Sequence, residues 1–158
     1  MAAEELARIT TSAPRRVIGV GSMLGLGALM LWLSLTTADM ALPWKLLLAV
    51  IGGGAVWAGQ VMWEATGHAL ILTEDALTDS DGTVVARLDQ IEKVDRGMFA
   101  MKPSNGFLII LKKPAPRVWR LGLWWRWGRR IAIGGVTARS QTRPLADIMT
   151  HLLNQRAH

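Results

Sequence analysis

The chain has 158 residues, is 51% hydrophobic and carries a formal net charge of +6, and its mean hydropathy of +0.26 is high for a soluble domain. It contains eight Trp and no Tyr, and it has no Cys, which excludes a disulfide framework, a thiolate metal site, an iron–sulfur cluster and a cysteine nucleophile. The length fits one domain of ordinary size, so the position of the apolar excess along the chain becomes informative.

Two apolar segments hold most of this excess. Residues 17–38 carry no charge over 22 positions, and residues 42–63 carry only Lys45. About 20 residues of helix span a hydrocarbon core of about 30 Å, and neither segment has the polar face of a soluble helix. They predict two membrane helices. The alternatives are a buried helix pair in a soluble bundle and, for the first segment, a signal peptide cleaved after Ala38.

The short connection around residues 39–42 predicts an antiparallel hairpin. Arg8, Arg15 and Arg16 precede it and 14 basic residues follow it, whereas the connection has only Lys45. The positive-inside rule then predicts that both termini are cytoplasmic, and the short hairpin and high Trp content favour a bacterial inner membrane. No Asp, Glu, Arg or His lies deep in either segment, which argues against a transporter, channel or pump.

Small residues recur at helical spacing in both segments, and such residues allow close helix packing in lipid. One interpretation is that the two helices pack on each other through them. The other is that a small-residue face receives a helix from another membrane protein. The candidate packing residues are Gly21, Gly25, Gly53, Gly54 and Gly59.

Residues 64–158 predict a mainly-β domain that ends in a helix. Runs of β-forming residues between turn motifs give about seven short antiparallel strands, and 79–82 is the strongest turn. The predicted strands are 68–73, 76–78, 83–88, 90–94, 107–111, 117–121 and 130–133. We expect strands of this number and length to close into a barrel or a two-sheet sandwich.

The last helix is predicted to be amphipathic, with Thr142 as its N-cap and Pro144 in its first turn. Its apolar stripe has the spacing i, i+3, i+4 and i+7 and consists of Leu145, Ile148, Met149 and Leu152. We expect this stripe to cap one open end of the strands. The predicted domains are therefore a cytoplasmic tail at 1–16, the transmembrane hairpin at 17–63 and a cytoplasmic β domain at 64–158.

The order of elements resembles the membrane-anchored form of the bacterial pleckstrin-homology-like (PH-like) family, in which a helical hairpin precedes the domain. The resembling segments are LTEDALTDSDGTVV at 72–85, IEKVDRG at 91–97, NGFLIIL at 105–111, GRRIAIGG at 128–135 and the terminal helix. The resemblance implies a mainly-β PH-like barrel capped by the C-terminal amphipathic helix. It implies no single activity, because the fold is a scaffold for lipid, peptide and protein binding.

The segment 112–130 is the most distinctive part of the β domain, with seven basic residues, four Trp and no acid. It predicts an interface with membrane lipids bearing anionic headgroups or with a protein, since Trp and Arg are frequent interface hot spots. The alternative is that the Trp side chains of this segment pack in the core of the domain. Nucleic acid is not expected as a partner of a membrane-tethered domain. Strand alternation puts Trp125 and Trp127 on one face and Trp124 on the other, so at least one should be exposed. The candidate interface residues are Lys112, Lys113, Arg117, Trp119, Arg120, Trp124, Trp125, Arg126, Trp127, Arg129 and Arg130.

The sequence contains no recognisable catalytic motif. His68 is interpreted as a linker residue, and Asp79 and Asp81 as part of a turn that lacks the further ligands of a calcium loop. We therefore expect no enzyme, no cofactor and no metal. The expected function is that of an accessory or structural protein docked on another integral membrane protein or complex, with a homo-oligomer left open. The alternative is a module that recognises anionic lipid headgroups through 112–130.

Overall fold

The computed structural model describes residues 4–97 and 106–158. The chain forms two compact units. One is a helical hairpin, Ala13–Glu64, and the other combines Met1–Ser12 with Ala65–His158; we call the second the β unit. The chain therefore starts in the β unit, leaves it to form the hairpin and then returns to it.

Two long helices make up the hairpin. They are α1, Ala13–Thr36, and α2, Leu42–Ala65, each of 24 residues and therefore about 36 Å long. Both are long and apolar enough to cross a membrane, as the sequence predicted. They expose large apolar side chains, among them Trp32, Leu35 and Val50. Surfaces of this kind need lipid or another protein to cover them.

Glycines bring α1 and α2 together. A Cβ on Gly27 would lie 2.8 Å from the carbonyl oxygen of Gly52, and a Cβ on Gly59 would lie 2.9 Å from a leucine side chain of α1. Near the connection, the Ser34 hydroxyl donates to the Lys45 carbonyl at 2.8 Å. The hairpin thus packs on itself through glycines, of which Gly59 belongs to the predicted packing set.

Antiparallel strands form two sheets in the β unit. The first sheet contains β1 (Glu5–Ile9), β2 (Leu70–Thr73), β3 (Ala76–Asp79) and β4 (Val84–Arg87), and the second contains β5 (Ile91–Asp95), β6 (Phe107–Arg120) and β7 (Trp124–Ile133). Strands that are consecutive in each sheet pair with each other, and every pair is antiparallel. The helix α3, Arg139–Ala157, follows. Within the described residues the two sheets do not close into one barrel.

The first strand comes from the segment that the sequence predicted as a tail. β1 pairs with β2 in the register Ile9↔Leu70, and Ile9 is fully buried. Glu5 and Arg8 interrupt the apolar pattern of this short strand, and its partner strand follows the whole hairpin. A strand of five residues with so distant a partner has no local pattern that would distinguish it from a tail.

The predicted strands 107–111 and 117–121 are one strand, β6, and β7 begins earlier than the predicted 130–133. Pro114 and Pro116 interrupt the β-forming pattern, and proline is normally confined to strand edges. β5 pairs only with the first part of β6. Beyond it, one edge of β6 has no neighbouring strand among the described residues, and this free edge accommodates both prolines.

The last helix is present but begins earlier than predicted. Its N-cap position is Ala138 rather than Thr142, and Pro144 lies inside the helix. The Thr142 hydroxyl donates back to the Arg139 carbonyl at 3.4 Å, a contact typical of a threonine within a helix rather than at its cap. The apolar stripe packs into the core of the β unit; the expected capping of one barrel end does not apply, because the two sheets do not close into one barrel within the described residues.

One core cluster joins both sheets and α3. Every strand contributes buried apolar residues to it, and burial of each large side chain contributes about 1.5–3 kcal/mol. The largest fully buried side chains are Trp124, Phe107, Ile9, Leu70, Leu72, Leu77, Leu88, Ile91, Ile109, Leu111, Leu123 and Ile131. Because the cluster includes the tip of the β6–β7 hairpin, the shape of that hairpin depends on the core.

Candidate functional site

β6 and β7 form a bent hairpin whose two ends are buried and whose middle is exposed. The register between the strands is irregular on both sides of Ala115, and such irregularities bend a strand pair. At the turn, Gly122 has a φ of 84°, which favours glycine, and the chain then returns Leu123 and Trp124 to the core. The segment 112–130 therefore crosses the surface between two buried ends.

The tryptophans of this hairpin divide between core and surface. Trp124 is 1% exposed, and its indole Nε1 donates to Asp79 Oδ2 at 3.2 Å. Trp119 and Trp127 are 54% and 62% exposed, while Trp125 is partly buried. The prediction that Trp124 faces away from Trp127, and that at least one ring is exposed, is confirmed.

Arg117 lies close to both exposed rings. Its guanidinium carbon is 4.6 Å from the centroid of the Trp127 ring and 5.7 Å from that of the Trp119 ring. Both distances are within cation–π range, and each contact contributes about 0.5–1 kcal/mol at an exposed site. We call Arg117, Trp119 and Trp127 the Trp–Arg surface. The contacts order three large side chains that remain accessible to a partner.

Exposed aromatic rings set this surface apart from the rest of the β unit. Among the described residues of that unit, the exposed large apolar side chains are Val84, Trp119 and Trp127. Two of these three belong to the Trp–Arg surface. A single exposed apolar residue is ordinary, but two Trp rings in contact with one Arg have the composition of an interface hot spot.

Several predicted interface residues are instead engaged within the β unit. Arg120 donates to Asp81, Arg129 pairs with Glu92, and Lys112 Nζ donates to a backbone carbonyl at 2.9 Å. These three cations therefore stabilise the fold. Arg120 and Arg129 contribute less free charge to the surface than the sequence composition suggested, whereas the partner of Lys112 is a neutral carbonyl and leaves its charge unpaired in the described chain.

Arg126 connects the two sheets. Its guanidinium donates to the carbonyls of Val84 and Val85 in β4 at 3.1 and 2.9 Å, and its Nε donates to the Pro116 carbonyl in β6 at 2.8 Å. Burial lowers the pKa of Arg126, yet an arginine stays protonated at neutral pH. The Arg126 side chain therefore links β7 to β4 through hydrogen bonds.

Lys113, Arg117 and Arg130 are the remaining basic residues of 112–130. All three are exposed, and the described part of the chain offers none of them an ion pair. Lys112 is also exposed and is held by a backbone carbonyl rather than by an acid, so four of the seven basic residues are exposed cations without an ion pair in the described chain. Three of them, Lys112, Lys113 and Arg130, lie outside the Trp–Arg surface but on the same hairpin.

The predicted packing glycines of the α1–α2 hairpin separate into two sets. Gly59 contacts the other helix. A Cβ on Gly21, Gly25, Gly53 or Gly54 would meet nothing within 4 Å in the described chain. These four positions are therefore open to lipid or to a further helix, and we call them the open glycines.

A side-chain cluster that the sequence analysis did not predict contains His68, Asp79 and Asp81. One ligand-type atom from each lies within 4.8 Å of the others. β2 and β3 pair in the register Leu70↔Asp79, so the residue two positions before Leu70 lies beside the turn that follows β3. Pairing the two predicted strands in this register would have placed His68 beside Asp79 and Asp81, so the cluster could have been found in this way.

Asp81 is held by the turn that contains it. Its carboxylate accepts the backbone N–H of Thr83 at 2.9 Å. Hydrogen bonds from Thr83 are the main cause that lowers the pKa of Asp81 below its ordinary 3.8; burial opposes them, and the charges of Arg120 and His68 add to them. The carboxylate is therefore ionised at neutral pH.

No family model, curated protein or solved structure matches this chain. The functional argument therefore rests on the geometry of its own residues. Three separate features carry that geometry: the Trp–Arg surface of the β unit, the open glycines of the hairpin and the cluster around Asp79.

Proposed function

We propose that the protein is a non-catalytic accessory or structural protein, anchored in a bacterial inner membrane by the α1–α2 hairpin, that docks onto a larger membrane protein complex. The observation that carries the proposal is the Trp–Arg surface, where two exposed Trp rings flank one Arg. Such residues most often dominate protein interfaces. Two antiparallel sheets followed by a C-terminal helix are compatible with the PH-like resemblance, and that fold serves as a binding scaffold.

Connectivity supports a hairpin whose two ends lie on one side of the membrane. β1 precedes α1 and β2 follows α2, yet the two strands pair in one sheet. A chain with this order cannot leave β1 and β2 on opposite sides of a bilayer. The excess of Lys and Arg outside the hairpin favours the cytoplasmic side.

The charge pattern alone does not separate a protein partner from anionic lipid, and the open glycines add support for a protein partner. Segments that bind anionic membranes commonly contain about 4–8 clustered Lys or Arg, and the exposed cations of 112–130 without an ion pair among the described residues are Lys112, Lys113, Arg117 and Arg130, which is the lower end of that range. The open glycines supply a second surface, because small residues let a partner helix approach closely in lipid.

Extraction in a mild detergent tests the docking proposal. The tagged full chain, taken from its own membranes, should migrate on a native gel in an assembly far larger than 17.3 kDa plus a micelle. The double variant Trp119→Ala/Trp127→Ala should leave that assembly. Val84→Ala, which truncates the third exposed apolar side chain of the β unit, should stay in it. Migration of the unaltered protein alone, or as a small homo-oligomer, would contradict the proposal.

The alternative function is a membrane-surface module that binds anionic headgroups. It is favoured by the exposure of Lys113, Arg117 and Arg130 beside two Trp rings, because Trp prefers the headgroup level. In vesicles that contain brominated lipid, the alternative predicts stronger quenching of Trp fluorescence with anionic than with zwitterionic lipid. Replacing the three cations by Glu should abolish that difference. Under the docking proposal, quenching is the same in both lipids.

A further inference from the structure

Asp79 has a buried carboxylate oxygen that accepts no hydrogen bond. Its side chain is fully buried at the end of β3. Oδ2 accepts the indole N–H of Trp124 at 3.2 Å, but Oδ1 has no hydrogen-bond partner among the described residues. Nearly all buried polar atoms in folded proteins have one, and the basic groups near this carboxylate are His68 Nδ1, 3.4 Å from Oδ1, and Arg120 Nε, 3.9 Å from Oδ2. A bound cation is one explanation for a buried oxygen without a hydrogen bond.

The groups around Oδ1 have the chemistry and spacing of a metal site. His68 Nδ1 lies 3.4 Å from it, and bonds of about 2.0–2.2 Å in a tetrahedral zinc site separate two ligand atoms by about 3.3–3.5 Å. Asp81 offers a third ligand-type atom, and one atom from each of the three side chains lies within 4.8 Å of the others. The Oδ1 of Asp81 also accepts the Thr83 N–H and its Oδ2 accepts Arg120, so metal binding requires Asp81 to shift towards the other two ligands. His68 and Asp81 are partly exposed, so the cluster is open to solvent on one side.

We propose that His68, Asp79 and Asp81 bind one divalent transition-metal ion, for which Zn²⁺ is the best match. Imidazole combined with carboxylate suits Zn²⁺, whereas Ca²⁺ and Mg²⁺ prefer six or more oxygen ligands. Water completes the coordination. In the sequence analysis, His68 was interpreted as a linker residue and the two Asp as part of a turn, so no metal was expected. The register between β2 and β3 is what brings the three residues together.

Arg120 is the cation that competes with the metal. Its Nη2 donates to Asp81 Oδ2 at 2.5 Å, and its Nε lies 3.9 Å from Asp79 Oδ2. Both contacts use the Oδ2 atoms, so Oδ1 of Asp79 stays available. The Arg120 side chain is 32% exposed, although its Nε is buried and has no hydrogen-bond partner among the described residues. Its charge should weaken metal binding, and we expect micromolar rather than nanomolar affinity.

A metal at this position would connect three points of the chain. His68 follows closely after α2 ends at Ala65, Asp79 ends β3, and Asp81 lies in the turn before β4. The ion would therefore fix the start of β2 against the β3–β4 turn. None of these residues belongs to the Trp–Arg surface, so the metal site and the docking proposal can fail independently.

Calorimetry on the full chain in detergent tests the metal site. The protein carries a tag without histidine, is stripped with chelator and is titrated with ZnCl₂. We expect one Zn²⁺ per chain, and visible d–d absorption of four-coordinate geometry when Co²⁺ replaces it. His68→Ala and Asp81→Asn should each weaken binding at least about tenfold, because each removes one of three protein ligands. His151→Ala, which removes an exposed histidine of α3, should leave it unchanged.

The variant Arg120→Gln is expected to change the Zn²⁺ affinity in the opposite direction. Removal of the competing positive charge should tighten Zn²⁺ binding about tenfold, with the far-ultraviolet circular dichroism unchanged. The proposal is overturned if the unaltered protein binds no stoichiometric Zn²⁺, or if His68→Ala binds it as tightly. Binding that appears only in Arg120→Gln would also overturn it, because Arg120 would then be the cation that serves both carboxylates.

Discussion

The hairpin exposes many of its large apolar side chains, whereas the β unit buries most of its own. In the hairpin, large side chains such as Trp32, Leu35 and Val50 are exposed, and the helices meet through glycines. In the β unit, apolar side chains of every strand converge on one core, and among its described residues the exposed large ones include Trp119 and Trp127. The hairpin therefore exposes apolar surface along its length, whereas the described part of the β unit exposes large apolar side chains at Val84 and at the Trp–Arg surface.

Within each unit, one residue type occurs in both buried and exposed positions. Trp124 and Trp127 lie three positions apart on β7, yet one is a core residue bonded to Asp79 and the other is exposed beside Arg117. Glycines in the hairpin divide in the same manner, between helix contact and open surface. Substitutions at the buried and exposed positions of each residue type can therefore test the difference between the two units.

The largest effect is expected for Trp124→Ala. It removes a fully buried ring and the hydrogen bond to Asp79, and truncation of a large aromatic core residue costs about 3–5 kcal/mol. Trp127→Ala removes an exposed ring and should change the free energy of unfolding by less than about 0.5 kcal/mol. Denaturant unfolding of the full chain in detergent, followed by circular dichroism, compares the two. Equal destabilisation would mean that Trp127 is also part of the core.

Gly27→Leu should have the next largest effect, and it acts on the hairpin. A Cβ at Gly27 already meets the Gly52 carbonyl, whereas a Cβ at Gly25 meets nothing within 4 Å in the described chain. Overpacking of a close contact costs about 1–3 kcal/mol, so Gly27→Leu should lower the thermal midpoint in detergent. Gly25→Leu should not.

Gly25→Leu has a second use as a test of docking. If the open glycines receive a partner helix, this variant should lose the large assembly on a native gel while its thermal midpoint in detergent stays unchanged. Retention of the assembly would restrict docking to the β unit.

The sequence was sufficient for features that depend on local pattern. The two long apolar helices, the strands around the 79–82 turn and the final amphipathic helix all follow from length, alternation or periodicity. It was insufficient where distant segments decide the structure. β1 is defined by its pairing with β2 across the hairpin, and the length of β6 depends on where its pairing with β5 stops.

The candidate site shows the same limit. Alternation correctly separated Trp124 from Trp127, because it is a property of one strand. Composition overstated the free charge of 112–130, because the partners of Arg120, Arg126 and Arg129 lie on other strands and turns. Those partners become visible only when the sheets are assembled.

Arg126→Leu should destabilise the β unit by about 1 kcal/mol. The substitution leaves the Val84, Val85 and Pro116 carbonyls without the guanidinium donor, and the loss is at the lower end for such bonds because the side chain is partly exposed. Arg130→Leu, which removes an exposed cation of the same strand, is the matched control and should be close to neutral. Denaturant unfolding at pH 7 measures both, and an equal cost for the two would argue against the link between the sheets.

The smallest expected effect is a pH dependence from Asp81. Hydrogen bonds from Thr83 lower its pKa in the folded protein below the ordinary 3.8, so the fold favours the ionised form. The resulting stabilisation is present above pH 3.8 and is lost as the pH falls through the lowered folded pKa. The difference in unfolding free energy between the unaltered protein and Asp81→Asn should therefore be largest near neutral pH and shrink in acid. Chelator must be present, so that a bound metal does not contribute, and Asp39→Asn controls for the loss of one charge. A difference that stays constant down to about pH 3 would mean that Thr83 holds Asp81 no better in the folded chain than water does in the unfolded one.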